Sequence, residues 1–234
     1  MLKVAIHQPH YFPWMGYLDK MAKADKFILL DEVQLEKGSN MYRNKVITWD
    51  GKEKYLTICY EKQDCLSKPF KDIMLDNSIG WQKRQQEFIF QNYRKTPFFD
   101  ETWDEIKQVF IKKYRFLIEV LLDSIVIERE CFGISTEIVL QSDIQYPRNT
   151  YRNQMLIELC KATDTQVYLS GNGARKYMDV EAFQSNRIEV EYQRFEYPSY
   201  NQFCGFVPNL SGLDILFHCG KDESKKIFWN NIHD

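Results

Sequence analysis

The first thirty residues constrain the fold most, because they place two short apolar runs on either side of a helical segment. Leu2 to Ile6 is the first run, a loop with two prolines follows it, and Phe27 to Leu30 is the second run. Between the runs, Trp14 to Ala24 carries apolar residues at helical spacing, with Pro13 where a first-turn proline is tolerated. A strand, a helix and a strand in this order normally form a right-handed parallel unit. The opening therefore predicts an α/β fold.

The rest of the chain extends this prediction to a single α/β domain over residues 1–234. Apolar runs on both sides of Asp50-Gly51 predict a β-hairpin at 45–60, because this residue pair tolerates the positive φ of a tight turn. Helical spacing from Trp81 to Tyr93 and from Trp103 to about Leu122 predicts a helical segment at about 81–132. Other patterns predict strands at Glu137 to Leu140, Gln166 to Leu169 and Ile188 to Tyr192, and helices at Asn153 to Ala162, Leu213 to Cys219 and Ser224 to Ile232. We expect a mostly parallel sheet flanked by helices.

Charge and hydropathy exclude several classes of protein. The 31 Lys and Arg residues nearly balance 33 Asp and Glu residues, giving a formal charge of −2, whereas nucleic-acid coats and polybasic membrane surfaces need a cationic excess. The N-terminus reaches polar His7 after a short apolar run, and a secretory signal needs roughly 7–15 apolar residues. The most apolar stretch, Phe116 to Leu122, is far short of the roughly 20 residues that cross a bilayer. We expect a cytoplasmic protein with no nucleic-acid partner and no membrane insertion.

The six cysteines do not form a metal-binding pattern. The sequence has no Cys-x-x-Cys pair, and no histidine is placed to complete a zinc set. We interpret the cysteines as reduced thiols in or near the core, and we expect no metal site.

Polar residues directly follow three of the predicted strands. His7, Asp31 and Ser170 come after the first strand, the second strand and the strand that ends at Leu169. Because ligands bind outside the carboxyl ends of parallel strands, these residues are expected to share one edge of the sheet. A carboxylate beside a histidine fixes the imidazole tautomer and stabilises its cation, so His7 and Asp31 are candidates for a general base and its partner. The alternative is that His7 only satisfies a buried backbone group at a strand end.

Other polar and aromatic segments are candidates for ligand binding. Gly171 and Asn172 open a glycine-containing turn that either cradles a phosphate or is a plain strand-to-helix turn. Asn44 and Lys45 follow an arginine and either bind an anion or belong to a solvated loop. Aromatic residues are 15% of the chain, and those in the loops at 11–17 and 197–206 either stack on a nucleobase or sugar or fasten the loops to the core.

Several sequence blocks carry a family resemblance. They are residues 6–17 (IHQPHYFPWMGY), 31–34 (DEVQ), 44–47 (NKVI), 168–174 (YLSGNGA) and 200–217 (YNQFCGFVPNLSGLDILF). The chain resembles the WbqC-like family essentially from end to end. The resemblance implies a role in O-antigen and related surface-glycan assembly, where nucleotide-linked deoxyamino sugars are built and modified in the cytoplasm.

The first hypothesis for the function is transfer of an acyl or aminoacyl group to the amine of a nucleotide-linked deoxyamino sugar. His7, Asp31 and Ser170 are then the catalytic candidates, and an activated acyl or aminoacyl donor is implied, with no metal. The residues assigned to substrate binding are Gln8, Tyr11, Trp14, Tyr17, Gln34, Asn44, Lys45, Gly171, Asn172, Tyr177, Tyr200 and Gln202. A nucleotidyltransferase-like enzyme and a non-catalytic sugar-nucleotide-binding module are the alternatives. Self-association and assembly with other glycan enzymes both stay open.

Overall fold

A parallel sheet of five strands forms the centre of the protein. The computed structural model describes residues 1–35, 41–63, 65, 67–203 and 205–232. The strands of the sheet are β1 (Lys3–His7), β2 (Lys26–Leu29), β5 (Glu137–Leu140), β6 (Val167–Ser170) and β7 (Glu189–Tyr192), in the spatial order β5-β2-β1-β6-β7. Every neighbouring pair is parallel. The predicted α/β fold is confirmed.

The strand order reverses at β1, and this reversal separates the carboxyl end of β1 from that of β6. From β1 the chain adds β2 and β5 on one side, then returns to place β6 and β7 on the other side. Strands β1 and β6 pair only as far as Ala5 and Leu169, so their carboxyl ends are not joined to each other. Such a reversal is the topological switch point at which open α/β sheets bind ligands.

The predicted hairpin is confirmed as a separate antiparallel pair. Its strands are β3 (Arg43–Ile47) and β4 (Glu53–Thr57). Gly51 occupies the turn with a φ of 81°, a conformation that glycine adopts without the steric cost that a Cβ would bring.

Helices cover both faces of the sheet. The helices of the described residues are α1 (Met15–Ala22), α2 (Trp81–Tyr93), α3 (Phe99–Ile111), α4 (Leu117–Cys131), α5 (Arg152–Ala162), α6 (Val180–Ser185) and α7 (Gly212–Asn230). Ala5 and Phe27 join the core formed with α1, α4 and α7. Val4 and Ile28, whose side chains alternate with these, join the core formed with α5 and α6. The strands are therefore buried on both faces.

The single helical stretch predicted from Trp103 to about Leu122 is wrong. Helix α3 ends at Ile111, and α4 begins only at Leu117. Lys112 already has an extended backbone, with ψ at 141°. The apolar spacing continues across this break, which is why the sequence predicts one helix.

The break between α3 and α4 is stabilised by a distant segment. The N–H of Leu117 donates to the carbonyl of Ile73 at 2.8 Å, and the N–H of Leu75 donates to the carbonyl of Arg115 at 3.0 Å. The Glu119 carboxylate accepts from the N–H groups of Arg115 and Phe116 at 2.7 and 2.9 Å. These bonds satisfy backbone groups that an unbroken helix would have bonded internally.

The predicted C-terminal helices together form α7, which bends at Gly220, where φ is 75° and ψ is 170°. The cysteines in the described residues are free thiols, namely Cys59, Cys65, Cys131, Cys160 and Cys219, and Cys204 lies outside those residues. Across the described ranges, none of the helices combines the length and the apolar character needed to span a bilayer.

Candidate functional site

Two adjoining cavities lie at the carboxyl ends of β1 and β6, with volumes of about 290 and about 270 Å³. His7, Lys20, Gly171 and Gly173 line both of them. We call the two cavities together the switch-point crevice. Its position follows from the strand order, because β1 and β6 are the strands that separate at the topological switch point.

About half of the residues that the sequence assigned to a site lie in this crevice. His7, Gln8, Ser170, Gly171 and Tyr177 line the first cavity, and Trp14, Tyr17 and Asn172 line the second. The strand-end argument is responsible for most of these placements.

His7 has one ring nitrogen committed and one that is available. Its Nδ1 lies 3.0 Å from the backbone carbonyl of Gln8. A carbonyl oxygen only accepts hydrogen bonds, so Nδ1 carries the proton, and the lone pair of neutral imidazole is then on Nε2. Burial lowers the pKa of His7 well below its usual value, and the charge of Lys20 lowers it further. His7 is therefore a neutral proton acceptor at neutral pH.

A cluster of rings surrounds His7. The ring centroids of His7, His10 and Tyr17 are 4.9 to 5.0 Å apart. The Tyr17 hydroxyl donates to the carbonyl of Gln8 at 3.2 Å, which is the same oxygen that Nδ1 of His7 faces. Burial lowers the pKa of His10 to about 4. The rings hold the imidazole of His7 in place and keep both histidines neutral.

Lys20 is a charged residue of the crevice that the sequence did not indicate as a site residue. Its ammonium donates to the carbonyl of Ile6 at 2.9 Å, close to where the pairing of β1 with β6 has stopped. The residue is only 4% exposed, and burial lowers its pKa to about 7. A signal for it was present, because Lys20 lies three positions after Tyr17 and therefore on the same face of α1.

The indole of Trp14 forms one wall of the crevice. Its ring lies over Gly16, where a Cβ would come within 2.2 Å of the indole. The ring also meets Phe195 edge to face, at a centroid distance of 5.4 Å. The glycine at position 16 therefore creates the space that the indole occupies beside the first turn of α1.

Gly171 and Gly173 are glycines that the folded chain itself does not require. Gly171 has a φ of −71°, which any residue adopts, and no positive φ occurs at Gly173. A Cβ built at either position would have no atom within 4 Å. Neither backbone conformation nor packing explains these two glycines, and the space beside them is open toward the crevice.

The expected pairing of His7 with Asp31 is wrong. Asp31 does lie beyond the carboxyl end of β2, at the same edge as His7 and Ser170. Its carboxylate, however, accepts from the N–H of Ser142 at 2.9 Å and from the Ser142 hydroxyl at 2.6 Å. Ser142 follows β5, on the side of β2 away from β1. Asp31 is thus drawn toward β5, and His7 uses the Gln8 carbonyl instead.

Three other assigned residues are structural rather than exposed to the crevice. Tyr11 is completely buried, and its hydroxyl donates to Gln85 at 2.7 Å. Asn44 is buried and donates to the carbonyl of Phe12 at 2.7 Å. Lys45 forms an ion pair with Glu53 across the hairpin at 2.6 Å. Their hydrogen bonds fix the hairpin and the loop after β1, and none of the three lines the crevice. Ligand binding by these residues stays a prediction.

The remaining assigned residues also lie elsewhere. Tyr200 and Gln202 donate to the buried carboxylate of Asp214 at 2.8 and 2.9 Å. Gln34 lines a different cavity, beyond β2. Neither location was predictable from the sequence, because the loops after β2 and β7 have no periodic pattern.

The switch-point crevice has an unusual charge distribution. Among the described residues that line it, there is a lysine and a histidine but no aspartate or glutamate. In the described part of the chain, no three His, Cys, Asp or Glu side chains come together in a way that could hold a metal ion. A buried amine without a carboxylate partner favours an anionic ligand.

The comparisons with known proteins agree with the sequence resemblance. A family model described as the WbqC-like protein family matches residues 8–226. The chain belongs to the WbqC-like protein family. The match covers most of the crevice, including the Lys20 and Ser170 positions.

This WbqC-like chain is also similar to an uncharacterized protein, Rv1507c, of Mycobacterium tuberculosis. The two sequences are 29% identical over 228 residues, covering 95% of this chain and 96% of that protein. No solved structure matches the chain.

Proposed function

We propose that this WbqC-like protein binds a nucleotide-linked deoxyamino sugar in the switch-point crevice and transfers an acyl or aminoacyl group to the amine of the sugar. The setting implied by the resemblance is cytoplasmic surface-glycan assembly. The observation that carries the proposal is a neutral imidazole with a free Nε2 beside a buried lysine, in a crevice whose described lining has no carboxylate.

The proposed reaction needs one proton acceptor. The sugar amine attacks the carbonyl carbon of the activated donor, so that a C–N bond forms and the bond from the acyl carbon to its leaving group breaks. Nε2 of His7 takes the proton that the amine loses and returns it to the leaving group. The Ser170 hydroxyl contacts the carbonyl of Gly171 at 3.4 Å and shares a side-chain hydrogen bond with Tyr168. In the proposed reaction this hydroxyl donates to the developing oxyanion.

Lys20 has a complementary role in the proposal. The diphosphate of a nucleotide-linked sugar is anionic, and a buried ammonium binds such a group strongly because the surroundings screen the charge poorly. The bound negative charge also offsets the effect of Lys20 on the imidazole, which raises the pKa of His7 and makes it a better base. Trp14 and Tyr17 provide ring surface for the sugar or base.

The test is a mass-spectrometric assay of turnover. The purified protein is mixed with a nucleotide-linked amino sugar and acyl or aminoacyl thioesters and adenylates, and we expect the sugar nucleotide to gain the mass of one acyl group. The same nucleotide-linked sugar with a hydroxyl in place of the amine is the control and should not react. In parallel, a ligand at 100 times its dissociation constant should raise stability by about 2.7 kcal/mol. Binding without any product would instead favour the non-catalytic module.

Nucleotidyl transfer is the second candidate, and the cluster of His7, His10 and Lys20 favours it. Histidines and a lysine without an acidic neighbour suit contact with phosphate oxygens. The assay distinguishes the two reactions, because nucleotidyl transfer consumes a nucleoside triphosphate with Mg²⁺ and releases pyrophosphate, and the product gains the mass of a nucleotide.

The two glycines of the crevice provide a prediction that does not depend on the reaction type. Gly171→Ala and Gly173→Ala should leave the free energy of unfolding unchanged or raise it by about 1 kcal/mol, because alanine restricts the unfolded chain. Affinity for the nucleotide-linked sugar should fall by about tenfold or more, which corresponds to about 1.4 kcal/mol. Denaturant unfolding and calorimetric titration measure the two quantities.

Gly212→Ala is the matched control, because its Cβ would come within 2.8 Å of a Glu128 carboxylate oxygen. This variant should lose stability without a direct effect on affinity. Unchanged affinity in both crevice variants would contradict a close approach of the ligand to Gly171 and Gly173.

A further inference from the structure

A second and larger cavity lies at the same edge of the sheet. Its volume is about 810 Å³, and it is bordered by the residues after β2, the residues after β5 and the first turns of α5. We call it the β2–β5 cavity. Met155 of α5 lines it, and the next residue, Leu156, lines the switch-point crevice, so the start of α5 separates the two.

The charges around the β2–β5 cavity are unequal. Its described lining contains Lys71, Arg148 and Arg152 but only one carboxylate, Glu32. Glu32 is shared, at 2.8 Å from the Lys71 ammonium and 3.1 Å from the Arg148 guanidinium. The side chain of Arg152 forms neither a hydrogen bond nor an ion pair within the described residues. The cavity therefore has a cationic excess and one guanidinium available for an anion.

Aromatic rings stand beside these cations. The Arg148 guanidinium stacks over the Tyr146 ring at 4.1 Å. Tyr151 is 77% exposed, although a ring of this size normally gains by burial. An exposed ring next to an unpaired guanidinium offers a stacking surface within reach of an anion site.

Hydrogen bonds connect the residues that form the floor of the β2–β5 cavity. Gln141 is 1% exposed and accepts from the N–H of Glu32 at 3.2 Å, while its amide donates to the Tyr146 hydroxyl. Arg148 donates to the carbonyls of Gln141 and Ile144 at 3.3 and 3.0 Å. A binding surface held in this way loses little conformational entropy when a ligand binds.

We propose that the β2–β5 cavity is a second ligand site, which takes a nucleoside phosphate separate from the ligand of the switch-point crevice. The phosphate contacts Arg152, and the positive charges of Lys71 and Arg148 attract it electrostatically. The base stacks on Tyr151. The volume suits a nucleotide, since small-molecule sites measure about 300–1,000 Å³. This inference goes beyond the proposed function, because it concerns equilibrium binding at another location and holds whichever reaction the crevice performs.

The experiment is calorimetric titration of the full chain with UDP and with ADP, with inorganic pyrophosphate and the two nucleosides as partial probes. Arg152→Gln should weaken binding of at least one nucleotide and of pyrophosphate by about 10- to 100-fold, the usual effect of losing a charge-assisted hydrogen bond. Tyr151→Ala should weaken nucleotide binding by about 5- to 100-fold without affecting pyrophosphate. Tyr151→Phe should bind normally, because the ring is retained.

Tyr177→Ala and Lys20→Met are the matched variants of the switch-point crevice. They should leave the nucleotide binding that depends on Arg152 intact. The proposal is overturned if no nucleotide binds, if Arg152→Gln and Tyr151→Ala bind like the unaltered chain, or if only the crevice variants lose binding. Thermal unfolding of each variant verifies that the fold is retained, and Arg152→Lys, which keeps the charge, should recover part of the affinity. Because no acyl donor is present, failure of the transfer reaction would not change these outcomes.

Discussion

His7→Asn is expected to lower turnover in the acyl-transfer assay by about 100- to 10,000-fold, the usual contribution of a positioned proton acceptor. The asparagine amide is able to donate to the Gln8 carbonyl, as Nδ1 of His7 does, but it has no basic nitrogen to replace Nε2. Affinity for the nucleotide-linked sugar should change little, because the proposal assigns the anion to Lys20 and the backbone near Gly171. Turnover at saturating substrate and calorimetric affinity, measured on the same preparation, separate the two effects.

The pH profile gives a second measurement of the same assignment. Burial and the charge of Lys20 lower the pKa of His7, so the free enzyme should lose activity only well below pH 6.5 as the imidazole gains its proton. That acid limb should be absent from the residual activity of His7→Asn. Full turnover in His7→Asn would discard the base assignment, and lost affinity with unchanged turnover at saturation would make His7 a binding residue.

Asp31→Asn is the informative companion to His7→Asn. The sequence interpretation has Asp31 polarise His7, and in that case the substitution would reduce turnover strongly. The structure instead gives both carboxylate oxygens of Asp31 to Ser142, so the substitution should reduce stability and leave turnover nearly intact. A large loss of turnover with normal stability would mean that Asp31 reaches His7 during the reaction.

Local pattern predicted most of the sheet, because a strand–helix–strand unit has a strong directional preference. All five strands of the sheet fall within two residues of the predicted runs. Pattern failed between α3 and α4, where the apolar spacing continues but the backbone pairs with residues 73–75. The break depends on hydrogen bonds to a segment some forty residues away in the sequence. The periodicity of apolar residues carries no information about such distant pairing.

The site was predictable to the extent that it consists of strand ends. His7 and Ser170 follow β1 and β6, and no knowledge of sheet order was needed to place them at one edge. The partner of Asp31 depended on the spatial order of β5, β2 and β1, which the sequence does not specify. Tyr11 and Tyr200 show the same limit, since a ring in a loop is equally compatible with a ligand and with the core.

Asp214→Ala is expected to lower the free energy of unfolding by about 3–5 kcal/mol, because it removes the shared acceptor of a buried network. The carboxylate accepts from Tyr93 at 2.7 Å, from Tyr200 at 2.8 Å and from Gln202 at 2.9 Å, and His218 lies 3.5 Å away. The Tyr93 hydroxyl in turn accepts from the N–H of Ile47 in the hairpin at 2.9 Å. Asp214 therefore ties α7 to α2, to the hairpin and to the loop at 200–202.

Asp222→Ala is the matched control, because Asp222 is an exposed residue of the same helix and should change stability by less than about 0.5 kcal/mol.

Asp214→Asn adds a test through pH. Burial raises the pKa of Asp214 above its usual value, so the folded state holds this proton more tightly than the unfolded state does. The resulting contribution to the free energy of unfolding is fully present below the unfolded-state pKa, and it is lost as pH rises through the folded-state pKa. Asparagine cannot titrate, so this part of the pH dependence should vanish in Asp214→Asn. Denaturant unfolding between about pH 3.5 and 8 measures it. If Asp214→Ala were no more destabilising than Asp222→Ala, the three donors to the carboxylate would have to be satisfied by water, and the network would not hold the hairpin to α7.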